Sequence, residues 1–335
     1  MSPAKKKSKA PRRRRSSVSP LTIGGVTVHG GERKRIELPV ARLPTGAWTS
    51  IALEVIRGPK EGPTCWFSGA LHGDEIDGVE IVQEVAGALR PERLRGTVIA
   101  VPIVNAFGFV AQSRYMPDRR DLNRAFPGSK RGSLAARLAE LFIREVVSHC
   151  DFGIDFHCGS DDRVNYPQVR ADLSDPETRR LALEFGAPVV LDTKPPGGSL
   201  RAAATRANKT VMVFEGGEAK RFTRSAIRMG GQGALRVLEA LDMVSDMASA
   251  AGAVHECYRS RWVRAARSGI CRLDVELGQV VEKGEPLGVV GDAFGDHKST
   301  VKARIDGVVI GQRLNPLVNR GDAIVHIAAQ GDPAS

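Results

Sequence analysis

From residue 21 to residue 58 the chain alternates apolar and polar positions in short runs, RIELPVARL and SIALEVIRG among them, broken by Gly and Pro. A period of two marks half-buried strands, so this stretch predicts a leading β-sheet. From residue 63 the texture changes. Short apolar runs (TCWFSGA, TVIAVPIV, DFGIDFH, PVVLD, TVMVFE) alternate with segments whose apolar residues recur every three to four positions. Val79, Val82, Ala86 and Leu89 form one such segment; Leu134, Leu138, Leu141 and Phe142 form another. A third helix announces its own ends: Asp175 can accept from free N–H groups, Pro176 suits the first helical position and Gly186 follows the last turn. Strands alternating with helices predict an α/β sheet buried on both faces.

The last helical pattern, Leu235, Leu238 and Leu241, runs out near residue 250 in the small residues ASAAGA. The division expected is a tail over 1–20, an α/β domain over 21–250 and an all-β, barrel-like domain over 251–335, because the final segment consists of short strands with Gly turns. Its VEKGEPLG and IDGVVIG segments resemble the biotinyl/lipoyl carrier barrel. Lys298, in GDHKST, lacks the flanking pattern of an acylated lysine, so a small lid or packing domain is expected instead.

Composition changes the picture in three places. With 335 residues, 42% hydrophobic and 26% charged, the chain can bury a real core, and no run approaches the roughly 20 apolar residues that cross a bilayer. The net charge of +11 sits largely in residues 1–16, where Lys5, Lys6, Lys7, Lys9 and Arg12 to Arg15 meet no acid, and without them the body carries +3. That tail is expected to be disordered, with at most a weak polyanion contact. The segment after its arginine run lacks the apolar core of an export signal, so a cytoplasmic location is expected. Five cysteines, an odd count with no C-x-x-C pair, agree with a reducing compartment.

Of seven histidines, His29, His149, His255, His297 and His326 have no acid, cysteine or second histidine at ligand spacing, and surface or satisfied-core roles are their default. His72 and Glu75 stand in GALHGDEIDG, after an apolar strand and before a helix, where ligands gather in open α/β sheets. His157 ends the apolar run DFGIDFH in the same way. Two imidazoles and one carboxylate suit Zn2+ and leave a fourth position for water.

The motifs LHGDE, Asn105-x-x-Gly108, DLNRAFPG (121–128), DFHCG (155–159) and VFEGGE (213–218) occur in an order that resembles the succinylglutamate desuccinylase/aspartoacylase family. The resemblance implies a zinc carboxypeptidase-like mixed sheet flanked by helices, with a small C-terminal all-β domain. It implies zinc on His72, Glu75 and His157, catalysis by Glu215 with Glu218 as fallback, and a substrate carboxylate held by Asn123 and Arg124. Arg114 matches the arginine that polarises the scissile carbonyl, with Arg119 and Arg120 as rival guanidiniums. Asp121 is expected to anchor a ligand histidine or an arginine, and Cys158, which follows His157 on a strand, is expected to be buried and structural.

The function expected is therefore a zinc-dependent deacylase that cleaves the amide of a small-molecule N-acyl amino acid by metal-activated water. A carboxypeptidase trimming peptide C-termini is the alternative within this chemistry, and a non-catalytic nucleic-acid-binding protein with a basic arm is the alternative outside it. Three ligands rather than four, with a glutamate and arginines in line, favour the enzyme. A homo-oligomer is left open.

Overall fold

The computed structural model describes residues 18–331. The basic tail falls almost entirely on residues 1–17, which lie outside the described residues. The chain runs β1 (Leu21–Ile23), β2 (Val26–Val28), β3 (Glu32–Arg42), β4 (Trp48–Arg57), β5 (Lys60–Ser68), α1 (Asp77–Ala88), β6 (Arg95–Val101), α2 (Ala106–Val110), α3 (Leu134–Glu145), β7 (Phe152–Gly159) and β8 (Arg163–Ala171). It continues through α4 (Pro176–Phe185), β9 (Val189–Asp192), α5 (Leu200–Arg206), β10 (Thr210–Glu218) and α6 (Arg224–Ala240). After residue 250 come only strands: β11 (His255–Cys257), β12 (Arg259–Arg264), β13 (Gly269–Leu273), β14 (Val280–Val281), β15 (Pro286–Gly291), β16 (Ser299–Lys302), β17 (Gly307–Arg313), β18 (Leu317–Val318) and β19 (Ala323–Ala329).

A mixed sheet of 13 strands among the described residues carries the fold, with the path β12-β19-β17-β8-β10-β7-β5-β6-β4-β3. Four neighbours in its middle, β10, β7, β5 and β6, are parallel, and the flanking pairs on the path are antiparallel. Alternation sends adjacent side chains to opposite faces. Phe67 packs with α1 and α6 in one buried cluster, while Trp66 packs with α3 in the other. Helix α4 starts and stops as its sequence predicts. The Asp175 carboxylate accepts from Thr178 N at 2.8 Å, and Gly186 takes a left-handed φ of 72°. No helix among the described residues is long and apolar enough to cross a membrane.

Two features escape the hydrophobic pattern. Strand β8, RVNYPQVRA, has a proline in its middle and polar Arg163, Asn165, Gln168 and Arg170, yet it lies inside the sheet between β10 and β17. The strands after residue 250 are also not self-contained. While β16, β15, β13 and β18 form their own antiparallel sheet, β17 hydrogen-bonds to β8, and β19 and β12 extend the main sheet beyond it. The C-terminal segment is thereby stitched edge to edge onto the α/β core.

Candidate active site

The parallel strands deliver their carboxyl ends to one edge of the sheet. Beyond β5 the chain enters the loop that carries His72 and Glu75, and this loop is braced by the next motif. Gly69 and Ala70 accept backbone bonds from Val104 and Asn105, and Asn105 caps α2 by accepting from Gly108 N at 2.9 Å. A side chain at Gly73 would lie 1.9 Å from the Gly108 backbone, so the Asn105-x-x-Gly108 motif is the floor on which the histidine loop rests. His157 comes from the end of β7. Glu215, on β10, is its direct register partner, so both side chains leave the same face of neighbouring strands.

His72, Glu75 and His157 are buried, and their ligand atoms lie within 4.8 Å of one another. Both imidazoles turn Nδ1 to the same carboxylate: His72 Nδ1 lies 2.7 Å from Glu75 Oε1, and His157 Nδ1 2.7 Å from Glu75 Oε2. Each ring's other nitrogen meets an aspartate, His72 Nε2 at 3.2 Å from Asp121 Oδ1 and His157 Nε2 at 2.7 Å from Asp155 Oδ2. Burial works against charge on Glu75, but the two imidazoles outweigh it and hold its carboxyl well below the usual carboxylate range. Burial likewise opposes protonation of His157, yet Asp155 and Glu75 raise its pKa well above the ordinary imidazole value. The donor set fits a zinc ion: two nitrogens and a carboxylate converge, and an aspartate fixes the orientation of each ring from behind.

Asp121 also holds Arg114, whose Nη2 donates to Asp121 Oδ2 at 2.9 Å while Nη1 lies 3.4 Å from Glu75 Oε1. Arg114 thus stands beside the His–Glu–His set, whereas Arg119 and Arg120 are exposed and Arg120 pairs with Asp118. Asn123 accepts from Leu200 N at 2.9 Å through its carboxamide oxygen, which leaves its NH2 group for the cavity it lines. Arg124 lines the same cavity and donates to Asn123 O at 2.7 Å. Glu215 Oε2 accepts from Asn165 Nδ2 at 2.8 Å and Oε1 lies 3.2 Å from Arg170 Nη1. Glu218 pairs instead with Arg221, at 3.2 Å. Cys158 is buried, and burial pushes its thiol well above the ordinary value, which disfavours a thiolate.

These groups open into a cavity of about 520 Å3 whose far wall comes from the strands after residue 250, Trp262, Arg264, Asp322 and His326 among them. The His326 ring stacks on Trp262 with centroids 4.4 Å apart, and the Arg163 guanidinium lies 5.5 Å from the Trp262 ring centre. His326 was expected on the surface or in a satisfied core. It is buried, but its Nδ1 has no partner, and burial with Arg170 and Arg163 nearby lowers its pKa to about 3. Asp155 was missed in the sequence, although D-x-H on a strand places both residues on one face. Asn165, Arg170, Trp262 and His326 carried no comparable signal.

The Succinylglutamate desuccinylase/Aspartoacylase catalytic domain matches residues 61–241, from β5 to just past α6. An N-alpha-acetyl-L-2,4-diaminobutyric acid deacetylase from Halomonas elongata is 30% identical over 96% of this chain and 98% of its own. The chain belongs to the succinylglutamate desuccinylase/aspartoacylase family. Solved structures agree: a succinylglutamate desuccinylase/aspartoacylase from Rhodobacter sphaeroides is 26% identical with a TM-score of 0.81, covering 90% of this chain and 96% of that one. The product-bound ectoine utilization protein EutE (DoeB) from Ruegeria pomeroyi is 25% identical with a TM-score of 0.81, covering 94% of this chain and 100% of that one. The family's catalytic-domain match contains His72, Glu75, Arg114, Asn123, Arg124, His157 and Glu215, but stops short of Trp262 and His326.

Proposed function

We propose that this protein is a zinc-dependent deacylase that hydrolyses the amide bond of an N-acyl amino acid. The observation that carries the reading is the register of Glu215 with His157, which sets an unligated carboxylate beside a buried His–Glu–His donor set inside one polar cavity. The near full-length similarity to a deacetylase of an N-acetylated diamino acid supports the same class of substrate. In this reading residues 21–250 carry the chemistry, and the strands after residue 250 complete the cavity wall.

His72, Glu75 and His157 would hold the zinc ion, which when bound supplies positive charge for polarising a carbonyl and acidifying a water. Glu215 accepts the proton of the attacking water and delivers it to the amide nitrogen as the C–N bond breaks. Arg114, fixed by Asp121, donates to the acyl oxygen as negative charge develops there. The Asn123 NH2 group and the Arg124 guanidinium grip the substrate carboxylate.

Metal analysis of the purified protein, followed by a screen of N-acetyl, N-succinyl and N-formyl amino acids alongside short peptides, tests this reading. One zinc per chain and turnover of an N-acyl amino acid are expected. Release of C-terminal residues from peptides without deacylation would replace the deacylase by a carboxypeptidase, and a metal-free, inert protein that retains RNA would replace the enzyme altogether.

A further inference from the structure

The two oxygens of Glu215 are held differently. Arg170 approaches Oε1 at 3.2 Å through a long, partly exposed side chain, an arrangement that exchanges readily with water. Asn165 approaches Oε2 at 2.8 Å through a short, buried one. A carboxylate only accepts, so the carboxamide must present its NH2 group.

Two departures from regular sheet geometry seat Asn165 there. Between the pairs Gly217↔Asn165 and Glu215↔Gln168, β10 advances two residues while β8 advances three. Strict alternation would turn Asn165 and Gln168 to opposite faces. The extra residue of this β-bulge, at Tyr166-Pro167, returns Asn165 to the face of Glu215, and a bulge is also where a sheet tolerates proline. On its other side Asn165 is paired with Gly311 of β17, which is itself opposite His326. A Cβ on Gly311 would come within 3.2 Å of Asn165 Oδ1 and 3.4 Å of His326 Cβ. The carboxamide thus sits against the gap that a missing side chain leaves in the C-terminal strands.

We propose that Asn165 is a positioning residue for Glu215, seated by the gap at Gly311. The proposal rests on the proton-transfer reading of Glu215. With Oε2 committed to the Asn165 NH2 group, the carboxylate is fixed in rotation and the proton taken from water is directed to Oε1. The same Oε1–H bond then breaks as the proton passes to the leaving nitrogen.

Steady-state kinetics of the zinc-loaded full chain test this with Asn165→Ala, Gly311→Ala, the double variant, and Asn165→Ala combined with Glu215→Gln. Asn165→Ala should lower kcat by roughly 10–100-fold while KM stays within about twofold and zinc content is unchanged. Gly311→Ala, which crowds the carboxamide more closely than it does His326, should lose less, and the double variant no more than Asn165→Ala alone. Once Glu215 is Gln, removing the Asn165 amide should cost nothing further. Unchanged kcat in Asn165→Ala, a loss that persists in full in the Glu215→Gln background, or a loss that follows missing zinc would each overturn the inference. If the parent protein hydrolyses no N-acyl amino acid, the deacylase reading falls and crystal structures of parent and Asn165→Ala decide the inference alone. A Glu215 carboxylate that leaves its place supports it, and one that stays overturns it. Should Asn165→Ala fail to fold, Gly311→Ala is read by the same two measurements.

Discussion

At the carboxyl ends of β5, β7 and β10 the polar groups of the cavity largely satisfy one another: Asp155 holds His157, Asp121 holds His72 and Arg114, and Glu75 bridges the two imidazoles. Across the cavity Trp262 is stacked against His326 on the strands after residue 250, the buried His326 Nδ1 has no partner, and neither has Nε of Arg163 on the adjoining β8. The first region is a closed network whose geometry is set before any substrate arrives. The second keeps buried donors and acceptors open, at a cost in stability of about 1–3 kcal/mol for each such group. In the proposed function, reaction chemistry belongs to the former and accommodation of a ligand to the latter.

Changes to the closed network should have the largest effects. Replacing His72 and His157 by Ala together should abolish zinc binding and drop turnover to background, as read by metal analysis and assay. Full zinc occupancy in that variant would break the ligand assignment. Glu215→Gln should keep the zinc and lose about 10²–10⁴-fold in kcat, because a carboxamide cannot take up the proton. Near-parental turnover would move the base elsewhere.

A weaker effect is expected at Arg124, between the two regions. Lys keeps the charge but not the two-pronged guanidinium, so Arg124→Lys should lower kcat/KM for N-acyl amino acids by about 10-fold or more. Carboxamide analogues, poor substrates of the parent, should be nearly insensitive to the change. Equal hydrolysis of acid and carboxamide by both proteins would show that no carboxylate is read there.

The effect without any change in turnover is on stability, and it falls on the open region. His326 titrates near 3 in the folded chain and near 6.5 unfolded, so the unfolded chain binds more protons between those values. Its contribution is complete above pH 6.5 and is lost as the pH falls toward 3. At pH 5 the loss should be about 2 kcal/mol, and His326→Phe should flatten that part of the stability profile in denaturant titrations. An identical pH slope in both proteins would remove His326 as its source.

The closed network was largely readable from sequence because its parts obey local rules. Apolar runs locate the strand ends, and the H-x-x-E spacing puts two groups on one turn. Asp155, two residues before His157, obeys period two and was open to the same reading. Asn165 could not be read so, because the bulge at Tyr166-Pro167 reverses the face that alternation assigns and the proline hides the strand. Trp262 and His326 reach the cavity through the pairing of β17 with β8 and of β11 with β9, contacts between distant segments that no local pattern encodes.

The stitching of β17 onto β8, and of β19 onto β17, also fixes an order of events on the ribosome. A nascent chain has all three side chains of the His–Glu–His set once residue 157 has emerged and has Glu215 soon after, while the strand bearing His326 ends at residue 329. Until then β9 covers only Gln168 to Ala171 of β8, and the stretch from Arg163 to Asn165 keeps unpaired backbone groups open to neighbouring chains. The His–Glu–His set can therefore be complete before the cavity closes during synthesis, and a polypeptide interrupted between residues 218 and 323 would carry that set without its wall.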